Sequence, residues 1–313
     1  MPFFSVVIPL YNKQDFIKAT VESVLNQTFT DFELLIVEDC STDNSLAVAV
    51  AIEDDRIVLL KHTKNKGLSA SRNTGIKHAQ SDYIAFLDAD DLWKPDFLEK
   101  IYNLIIQFPE AGLFATDFEI KYSEKIILPT IKNVDIPVNS IGMIADYFKS
   151  NLFYPIYCPS SICASKVVFE TVGLYDETLT FGEDIDFNIR ANMNYKLAYH
   201  NSPAIQYLMF SQNQITTSNF DTKKIPDFDQ YEPFTIENPS LKKYLDFKRY
   251  SMSVNYLAIG STDKAKKLIA SIDLKNLNFK QRTYIRLPYF AIKIIKKAKA
   301  LLMKNGIQMT TFK

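Results

Sequence analysis

The sequence of 313 residues is poor in several features that would point to particular protein classes. It carries no net formal charge, so its overall electrostatics give no reason to expect nucleic acid as a partner. Its three cysteines, Cys40, Cys158 and Cys163, are too few and too irregularly spaced for a disulfide framework or a zinc site. No run of about 18 apolar residues occurs, so we expect no transmembrane helix. The first residues lack the basic region of a signal peptide, and we therefore expect a cytoplasmic protein.

Several motifs that identify common enzyme classes are also absent. No G-x-G-x-x-G follows the first predicted strand, which argues against a dinucleotide-dependent dehydrogenase, and the G-x-x-x-x-G-K-[S/T] of P-loop NTPases does not occur. The sequence has no G-x-S-x-G nucleophile elbow. His62, His78 and His200 do not have the spacing of a metal site. Function must therefore be inferred from other residues.

Strand and helix patterns alternate through the first hundred residues. Short β-branched runs indicate strands, and apolar residues at helical spacing separate them. This alternation favours an α/β fold with a parallel, doubly wound sheet, in which polar groups gather where the strands end. The predicted strands span 5–10, 32–37 and 56–61, and the predicted helices span 14–27, 41–52 and 68–79.

The stretch YIAFLDADD at 83–91 joins a short apolar run to three closely spaced carboxylates. The apolar half predicts a strand that is buried on both faces of the sheet. Asp88, Asp90 and Asp91 follow where this strand should end. Hard oxygen ligands so close together are typical of sites for Mg²⁺ or Mn²⁺, and such an ion in turn commonly binds a diphosphate. The alternative is a solvated acidic turn, because D-x-D also occurs at 184–186 and 227–229.

Three further residues near predicted strand ends or helix starts are candidates for ligand contacts. Asp39 could accept a hydrogen bond from a nucleotide base, and Tyr11 offers a ring on which a base can stack. Arg72 could donate paired hydrogen bonds to a diphosphate. The alternatives are a helix cap for Asp39, a core or surface ring for Tyr11, and a surface salt bridge for Arg72.

Glu183 and Asp184 precede a predicted helix at 185–194. Acidic residues at a helix N-terminus are common, because they complement the helix dipole. The functional alternative is a general base that takes a hydroxyl proton, a role worth about 10²–10⁴ in rate. The residues by themselves leave both interpretations open.

The remainder of the chain mixes short elements and ends in helices. Polar residues at 211–221 indicate a linker, and the pattern is helical beyond residue 242. We predict an α/β domain at 1–215, followed by a linker and a mostly helical region at 216–313. In between, helices are predicted at 95–108, 141–150, 166–172 and 185–194, and strands at 111–122, 160–164 and within 195–207.

Six short segments share the order and spacing of one known family. They are SVVIPLYN (5–12), QTF (27–29), EDCSTDNS (38–45), NKGLSASRNTG (65–75), FLDADD (86–91) and GEDID (182–186). Each is weakly specific alone, but in one register they make chance a poor explanation. Over residues 3–215 the sequence resembles the inverting family 2 glycosyltransferases with the GT-A fold. It departs from many relatives at Ile185, where they carry an aromatic, and at 206–213, which lacks their histidine or arginine.

The resemblance implies a binding site for a nucleotide-sugar donor. Pro9, Tyr11 and Asp39 would hold the nucleotide base, with Asp39 at the uracil edge. Lys66 and Arg72 would approach the diphosphate.

The same resemblance implies the residues of the chemistry. Asp88 would contact the ribose or the metal ion, and Asp90 would ligate Mn²⁺ or Mg²⁺ with Asp91 beside it. The ion would act as a Lewis acid on the leaving nucleoside diphosphate. Asp184 would be the base that activates the acceptor hydroxyl, and a single displacement would invert the anomeric centre.

The leading hypothesis is therefore a sugar transferase that uses a UDP-linked donor and builds a cell-surface glycan on a glycan or lipid-linked acceptor. One alternative is a sugar-1-phosphate nucleotidyltransferase, but Tyr11, Asn12 and Lys13 occupy the place of its glycine-rich loop. Another is a non-catalytic nucleotide-sugar-binding module. Such a module would be expected to lose its acidic metal or base positions, and both are intact here.

The C-terminal region has a strong charge asymmetry, because no acidic residue follows Asp273. Its last helical segment places Ile294, Ile295, Ala298, Leu301 and Leu302 on one face. The pattern fits an interfacial helix on the anionic inner face of a membrane, and it also fits a helix packed on the catalytic domain. The basic residues after Asp273 are Lys275, Lys280, Arg282, Arg286, Lys293, Lys296, Lys297, Lys299, Lys304 and Lys313.

Overall fold

The structure, a computed structural model, describes residues 1–123, 126–128, 132–152, 154–209, 211 and 219–304. Part of the predicted linker, 212–218, and the tail at 305–313 lie outside these residues. The described residues form two compact units. The predicted boundary after residue 215 stays a prediction. The first unit comprises Met1–Ala145, Ile156–Thr217 and Lys224–Pro226, and the second comprises Asp146–Pro155, Ser218–Lys223 and Asp227–Lys313.

Strands and helices alternate along the first unit, and helices dominate the second. The strands are β1 (Phe4–Leu10), β2 (Phe32–Glu38), β3 (Ile57–Lys61), β4 (Tyr83–Phe86), β5 (Leu92–Trp93), β6 (Leu113–Ser123), β7 (Ile126–Leu128), β8 (Ile141–Met143), β9 (Ile162–Ser165) and β10 (Leu197–Leu208). The helices are α1 (Ile17–Leu25), α2 (Ser45–Val50), α3 (Leu68–His78), α4 (Phe97–Gln107), α5 (Tyr147–Ser150), α6 (Lys166–Val172), α7 (Glu183–Asn194), α8 (Pro239–Ile259), α9 (Thr262–Ala270), α10 (Phe279–Tyr284) and α11 (Tyr289–Lys304).

The strands of the first unit form one sheet. Its main path has the order β3-β2-β1-β4-β9-β6-β10-β5, with β7 beside β6 and β8 beside β10. β3, β2, β1 and β4 run parallel to one another, and β6 and β10 run parallel as a second pair. β9 and β5 run antiparallel to their neighbours. The sheet is mostly parallel, as the alternation of strands and helices predicts.

β1 is buried on both faces, which explains its uninterrupted apolar sequence. Its even-numbered residues join one hydrophobic core with residues of α1 and α4. Val7 faces the other side and packs against Gly75 of α3, where an added Cβ would lie 2.3 Å from a Val7 methyl carbon. Glycine at this position therefore allows α3 to approach the sheet closely, and α3 carries Arg72.

The carboxyl ends of β2, β1 and β4 lie side by side at one edge of the sheet, because these strands are parallel neighbours. Asp39 follows β2 directly, Tyr11 follows β1 directly, and Asp88 comes two residues after the end of β4. Residues from three separate parts of the chain thus meet at one edge, in the order Asp39, Tyr11, Asp88.

One predicted helix is wrong over most of its length. Ile141–Met143 forms β8, antiparallel to β10, and only Tyr147–Ser150 of the predicted helix at 141–150 is helical. Pairing with a neighbouring strand here outweighs local helical preference. Residues 195–207 contain one strand, β10, where the sequence predicts one or two. Its register against β6 is irregular around Pro203, which has no N–H for the ladder.

The second unit is organised around α8. Asn238 caps this helix by accepting a 2.9 Å hydrogen bond from the Leu241 amide, and Gly260 ends it in a left-handed conformation with φ of 86°. The helices α9 to α11 follow it. In the part of the chain that the structure describes, no helix combines the length and apolarity needed to cross a bilayer.

Candidate active site

A pocket of about 420 Å³ lies within the first unit, at the carboxyl ends of β1, β2 and β4. The first residues of α3 and α7 also line it. Lys66 and Asp91 are not among its described lining residues. The predicted site residues that the pocket brings together are Pro9, Tyr11, Asp39, Arg72, Asp88, Asp90 and Asp184.

The Asp39 carboxylate is 2% exposed and is held by three donors. The amides of Lys66 and Gly67 each donate to one oxygen at 2.7 Å, and His62 Nδ1 lies 2.7 Å from Oδ1. The other ring nitrogen of His62 lies 2.8 Å from the Thr74 hydroxyl. Because a carboxylate has about four lone-pair sites, Asp39 can still accept one more hydrogen bond. Its predicted contact with uracil is compatible with this geometry and stays a prediction.

Lys66 contributes to the site through its backbone. Its amide binds Asp39, whereas its side chain is exposed. The predicted approach of the Lys66 ammonium to a diphosphate stays a prediction.

The loop after β1 is fixed by the segment that leads into α2. Asn12 has a positive φ of 51° and accepts a 2.7 Å hydrogen bond from the Thr42 amide. The Lys13 amide donates to the Ser45 hydroxyl at 2.7 Å. Tyr11 precedes these anchored residues, is 42% exposed and lines the pocket. The loop therefore holds a partly exposed Tyr11 ring at the pocket, and its predicted stacking with a base stays a prediction.

Arg72 is buried between two carboxylates. Its Nη1 donates to Glu183 Oε1 at 2.8 Å, and its Nη2 donates to Asp88 Oδ1 at 2.7 Å. The side chain is 1% exposed, and its Nε has no hydrogen-bond partner among the described residues. The guanidinium joins the exit of β4 to the start of α7. Its predicted contact with a diphosphate stays a prediction.

The charges in this cluster shift the pKa values of its members. Burial alone lowers the pKa of Arg72, but Asp88 and Glu183 outweigh it and raise that pKa, so Arg72 stays protonated. Burial raises the pKa of Glu183 and Asp184 raises it further, while Arg72 opposes both. The positive charge of Arg72 therefore allows several carboxylates to lie together in a buried site.

Asp90 is held by a lysine that the sequence patterns do not single out. Lys13 Nζ donates to Asp90 Oδ2 at 2.7 Å, and the Ser211 hydroxyl donates to the same oxygen. Lys13 Nζ also lies 3.3 Å from the Ser211 hydroxyl. The other oxygen of Asp90 has no hydrogen-bond partner in the described chain.

Asp91 is buried and is bound by groups of the protein, as a residue with a structural role would be. It is 1% exposed, and it accepts hydrogen bonds from the Ser160 hydroxyl and, at 3.1 Å, from the Leu208 amide. Burial raises its pKa well above the ordinary value, and the neighbouring carboxylates of Asp90 and Asp88 add to this effect. Asp91 ties the exit of β4 to the end of β10 beside the pocket.

Asp184 lies in the first turn of α7 and lines the pocket. Gly182 before it has a left-handed φ of 78°, which glycine adopts without strain. The helix dipole favours a carboxylate at this end. Glu183 is bound to Arg72, whereas Asp184 has no hydrogen-bond partner among the described residues. Asp184 is thus the member of this pair whose carboxylate is not held by another described side chain, and its predicted role as the base stays a prediction.

The carboxylates of Asp88 and Asp90 fit a divalent cation. One oxygen of each is bound by a protein cation, and the other has no partner in the part of the chain that is described. Mg²⁺ commonly binds to one or two carboxylates and completes its shell with phosphate oxygens and water. No group of three or more His, Cys, Asp or Glu side chains among the described residues is arranged to hold an ion. If such an ion binds, the protein would supply part of its coordination shell and a phosphate ligand would supply the rest, and the predicted metal contact of Asp90 stays a prediction.

The pocket contains more acidic than basic side chains. Among its described lining residues, five are Asp or Glu and two, Lys13 and Arg72, are cationic. An anionic ligand such as a nucleoside diphosphate would be repelled unless a cation accompanied it. The imbalance favours a divalent ion bound together with such a ligand.

Three residues of the site lie outside the sequence predictions. His62 directly follows β3 at the same sheet edge as Asp39, so the strand-end rule that selects Asp39 would also have selected it. Lys13 is two residues from Tyr11, and that proximity is its only sequence signal. Ser160, which accepts from the Asp88 amide at 3.1 Å, carries no local signal.

The chain matches the model of the family described as Glycosyl transferase family 2 over residues 5–165. It is similar to two Escherichia coli proteins, WfaP and WfgD, each named a UDP-Glc:alpha-D-GlcNAc-diphosphoundecaprenol beta-1,3-glucosyltransferase. Identity to WfaP is 31% over 193 residues, which cover 62% of this chain and 70% of WfaP. Identity to WfgD is 39% over 123 residues, which cover 39% of this chain and 48% of WfgD. The chain spans about half the length, or less, of most curated relatives that it matches.

Crystal structures of S. aureus TarS share the fold. The complex of TarS 1–349 with UDP-GlcNAc aligns with a TM-score of 0.64 at 17% identity, over 99% of this chain and 93% of that chain. The complex with UDP aligns with a TM-score of 0.66 at 16% identity, over 99% and 95%. The likeness concerns the fold, and it confirms the predicted GT-A architecture with helices after the α/β domain.

Proposed function

The chain belongs to glycosyl transferase family 2, and on that premise we propose that this glycosyltransferase moves a sugar from a UDP-linked donor to a hydroxyl of a glycan or lipid-linked acceptor. The transfer inverts the anomeric centre and contributes to a cell-surface polysaccharide. The names of WfaP and WfgD, which specify UDP-Glc and a diphosphoundecaprenol-linked sugar, support this choice. The TarS complex with UDP-GlcNAc supports the donor class.

The observation that carries the proposal is the order of residues along the sheet edge. Neighbouring strands are about 4.8 Å apart, so the ends of β2 and β4 are separated by about 10 Å. Asp39 lies at one end of this span, Tyr11 lies between, and Asp88 and Asp90 lie at the other end. A nucleoside diphosphate carries its base and its phosphates at opposite ends over a similar length. It can therefore lie along the edge with its base at β2 and its diphosphate at β4.

Asp184 accepts the proton of the acceptor hydroxyl in this proposal. The hydroxyl oxygen forms a bond to the anomeric carbon while the bond from that carbon to the diphosphate oxygen breaks. The electron pair of the broken bond leaves with UDP, and attack from the opposite side inverts the centre. Glu183 and Arg72 position Asp184, because their ion pair fixes the first residue of α7.

Asp88 and Asp90 are the residues that would hold Mn²⁺ or Mg²⁺. Such an ion, when bound, neutralises negative charge on a leaving diphosphate. Asp88 is fixed at its carboxylate by Arg72 and at its amide by the Ser160 hydroxyl. Its remaining oxygen is thereby held in one place at the pocket.

The exposed surface of α11, the last helix of the described chain, is relevant to the class of acceptor. Phe290, Ile294 and Leu301 of α11 are 57%, 64% and 64% exposed and share one helical face. Lys293 and Lys297 are exposed beside them. This set of five residues, the outer face of α11, combines apolar groups with positive charge as an interfacial helix does. It would suit an anionic membrane that carries a lipid-linked acceptor.

The opposite side of α11 packs within the second unit, and the alternative of packing on the catalytic domain stays a prediction. Ile292 is fully buried, and Lys296 donates to Asn255 Oδ1 at 2.7 Å. Burial lowers the pKa of Lys296, and Lys299 lowers it further. The predicted apolar face is therefore divided, because Ile294 is exposed whereas Ile295 is half-buried.

Calorimetric titration with nucleotides tests the donor site. We expect UDP to bind in the presence of Mn²⁺, to bind more weakly after chelation with EDTA, and to bind more tightly than GDP. Equal affinity for UDP and GDP would contradict the assignment of Asp39 and Tyr11 to the base.

A product assay separates the proposed reaction from the nucleotidyltransferase alternative. With a panel of UDP-sugars, slow hydrolysis that releases UDP and free sugar is expected for the correct donor. Release of pyrophosphate from UTP and a sugar 1-phosphate would overturn the proposal.

A further inference from the structure

Lys13 places a positive charge on the carboxylate that is the best candidate for a metal ligand. Its ammonium lies 2.7 Å from Asp90 Oδ2, and the side chains are 10% and 13% exposed. The same ammonium lies 3.3 Å from the hydroxyl of Ser211, which also donates to Asp90 Oδ2. A divalent cation at the open second oxygen of Asp90 would therefore meet the Lys13 ammonium on one carboxylate, where two positive charges compete for a single negative charge.

The backbone of Lys13 is fixed while its side chain is adaptable. The amide donates to the Ser45 hydroxyl at 2.7 Å, and Asn12 before it is anchored to the Thr42 amide. A lysine stem has four methylene groups and a head with three donors, so the ammonium can change partners without movement of the loop.

The second cation of the pocket has no such freedom. Arg72 is 1% exposed and is bound to Asp88 and Glu183 at the same time. To reach a diphosphate, it would have to leave one of two buried carboxylates without its partner, which is costly. Lys13 is thus the pocket cation that can follow an incoming anion.

We propose that Lys13 and the divalent ion exchange places at Asp90 when the donor binds. In the donor-free protein the Lys13 ammonium neutralises Asp90. When the ion and the nucleotide arrive together, the ion takes Asp90 and the ammonium moves to the oxygens of the diphosphate. This inference rests on the proposed function, because it assumes that a nucleoside diphosphate occupies the pocket.

The exchange predicts effects of opposite sign in two binding measurements. Lys13 competes with the ion when the ion binds alone, because both draw on the one negative charge of Asp90. It assists the ion and the nucleotide when they bind together, because it adds a charge-assisted hydrogen bond to the diphosphate. A residue that only stabilises the loop would weaken both kinds of binding or neither.

Lys13→Met tests the exchange, with Lys13→Arg as the variant that keeps the charge. Lys18→Met is the matched control, because Lys18 is 70% exposed on α1 and pairs only loosely with Glu22, at 3.9 Å. Mn²⁺ binding to the nucleotide-free protein is measured from the electron paramagnetic resonance signal of free Mn²⁺. UDP binding at saturating Mn²⁺ is measured by calorimetry, and thermal unfolding verifies that each variant is folded.

We expect Lys13→Met to bind Mn²⁺ alone several-fold more tightly than the original protein does. We expect it to bind UDP in the presence of Mn²⁺ about tenfold more weakly, because one charge-assisted hydrogen bond is lost. Lys13→Arg should restore most of the UDP affinity, and Lys18→Met should match the original protein in both measurements. If Lys13→Met leaves Mn²⁺ binding unchanged or weakens it, the exchange is wrong even though the donor site stands. If the unsubstituted protein binds no UDP with Mn²⁺, the proposed function fails and the exchange fails with it.

Discussion

Two buried arginines, one in each unit, show how similar charge clusters can serve different purposes. Arg72 in the first unit and Arg249 in the second are each 1% exposed and bound to carboxylates. Arg249 donates to Asp229 at 2.7 Å, and it also contacts Glu232 at 2.6 Å and Asp246 at 3.4 Å. Around Arg72, by contrast, the partners are two carboxylates that line a pocket.

The Arg249 cluster is complete within the protein. Lys242 binds Glu232 at 3.0 Å and Asp246 at 2.8 Å. The second oxygen of Asp246 accepts from Asn276 at 2.8 Å and from the Asp273 amide at 3.2 Å. Asp246 thus has partners on both oxygens, and the cluster ties α8 to the segments around it.

The Arg72 cluster is incomplete within the protein. The Nε of Arg72 and one oxygen of Asp88 lack hydrogen-bond partners among the described residues, and both belong to residues that line the pocket. A buried polar atom without a partner is costly unless something else binds it. The comparison teaches that two equally buried ion-pair clusters can differ in how fully the protein satisfies their hydrogen bonding, and the less satisfied cluster is the one that borders the pocket.

The largest effect is expected at Asp184, which belongs to the open cluster. Asp184→Asn removes the proton acceptor, so the transfer rate should fall by about 10²–10⁴. Binding of UDP and the thermal unfolding temperature should stay near those of the original protein. Steady-state assays with the donor found by hydrolysis, together with calorimetry, measure both quantities.

The matched control is Asp82→Asn, an exposed aspartate at the opposite end of β4. It removes one negative charge from the same unit and should leave the rate unchanged. A rate for Asp184→Asn within threefold of the Asp82→Asn rate would remove Asp184 from the mechanism.

The closed cluster should show its importance in stability. Arg249→Met removes the ion pairs to Asp229, Glu232 and the buried Asp246, although Lys242 still binds Asp246. The free energy of unfolding should therefore fall by about 1.5–3 kcal/mol, the value of hydrogen bonds between charged groups. UDP affinity at low temperature should be retained, whereas Arg72→Met should lower both stability and UDP affinity. Urea denaturation followed by circular dichroism measures the stabilities.

Lys264→Met is the control for Arg249, because Lys264 and its partner Asp221 are about half exposed in the same unit. A surface pair of this kind contributes little to stability, because both charges stay in water. If Arg249→Met costs no more than Lys264→Met, the closed cluster is not a stabilising one.

A smaller effect is expected at Asp39. Asp39→Asn turns an acceptor into a donor opposite the amides of Lys66 and Gly67, and it removes the charge next to His62. UDP affinity should fall by about 10- to 100-fold, the value of a hydrogen bond to a charged group. GDP affinity should change much less, so that the preference for UDP is lost. An unchanged ratio of UDP to GDP affinity would show that Asp39 supports the loop without reading the base.

Much of the site could be predicted because its residues follow a local rule. Tyr11, Asp39 and Asp88 each come at or just after the end of a buried apolar run, and parallel strands bring such ends to one edge. Gly182, whose left-handed conformation starts α7, likewise marks the helix that carries Asp184. These features depend on a few neighbouring residues, which a sequence displays directly.

The partners of these side chains could not be predicted in the same way. Lys13 meets Asp90 across 77 positions of sequence, and Arg72 meets Glu183 across 111. No local pattern specifies such pairs, because they depend on how the loops and helices pack. The strand β8 was missed for the same reason, since its pairing with β10 overrides a sequence that looks helical.

The smallest effect tests whether the second unit has a role besides its own stability. Ile294→Ser changes a 64% exposed residue of the outer face of α11, so the free energy of unfolding should change by at most about 0.5 kcal/mol. Binding to vesicles of phosphatidylglycerol should weaken about threefold in co-sedimentation, because one apolar side chain no longer enters the interface. Ile292→Ser, on the buried side of the same helix, is the matched contrast and should destabilise the protein by about 2–4 kcal/mol. If Ile294→Ser binds these vesicles as well as the original protein does, the outer face of α11 is only a solvated surface. The same conclusion follows if neither the original protein nor Ile294→Ser binds phosphatidylglycerol vesicles better than phosphatidylcholine vesicles.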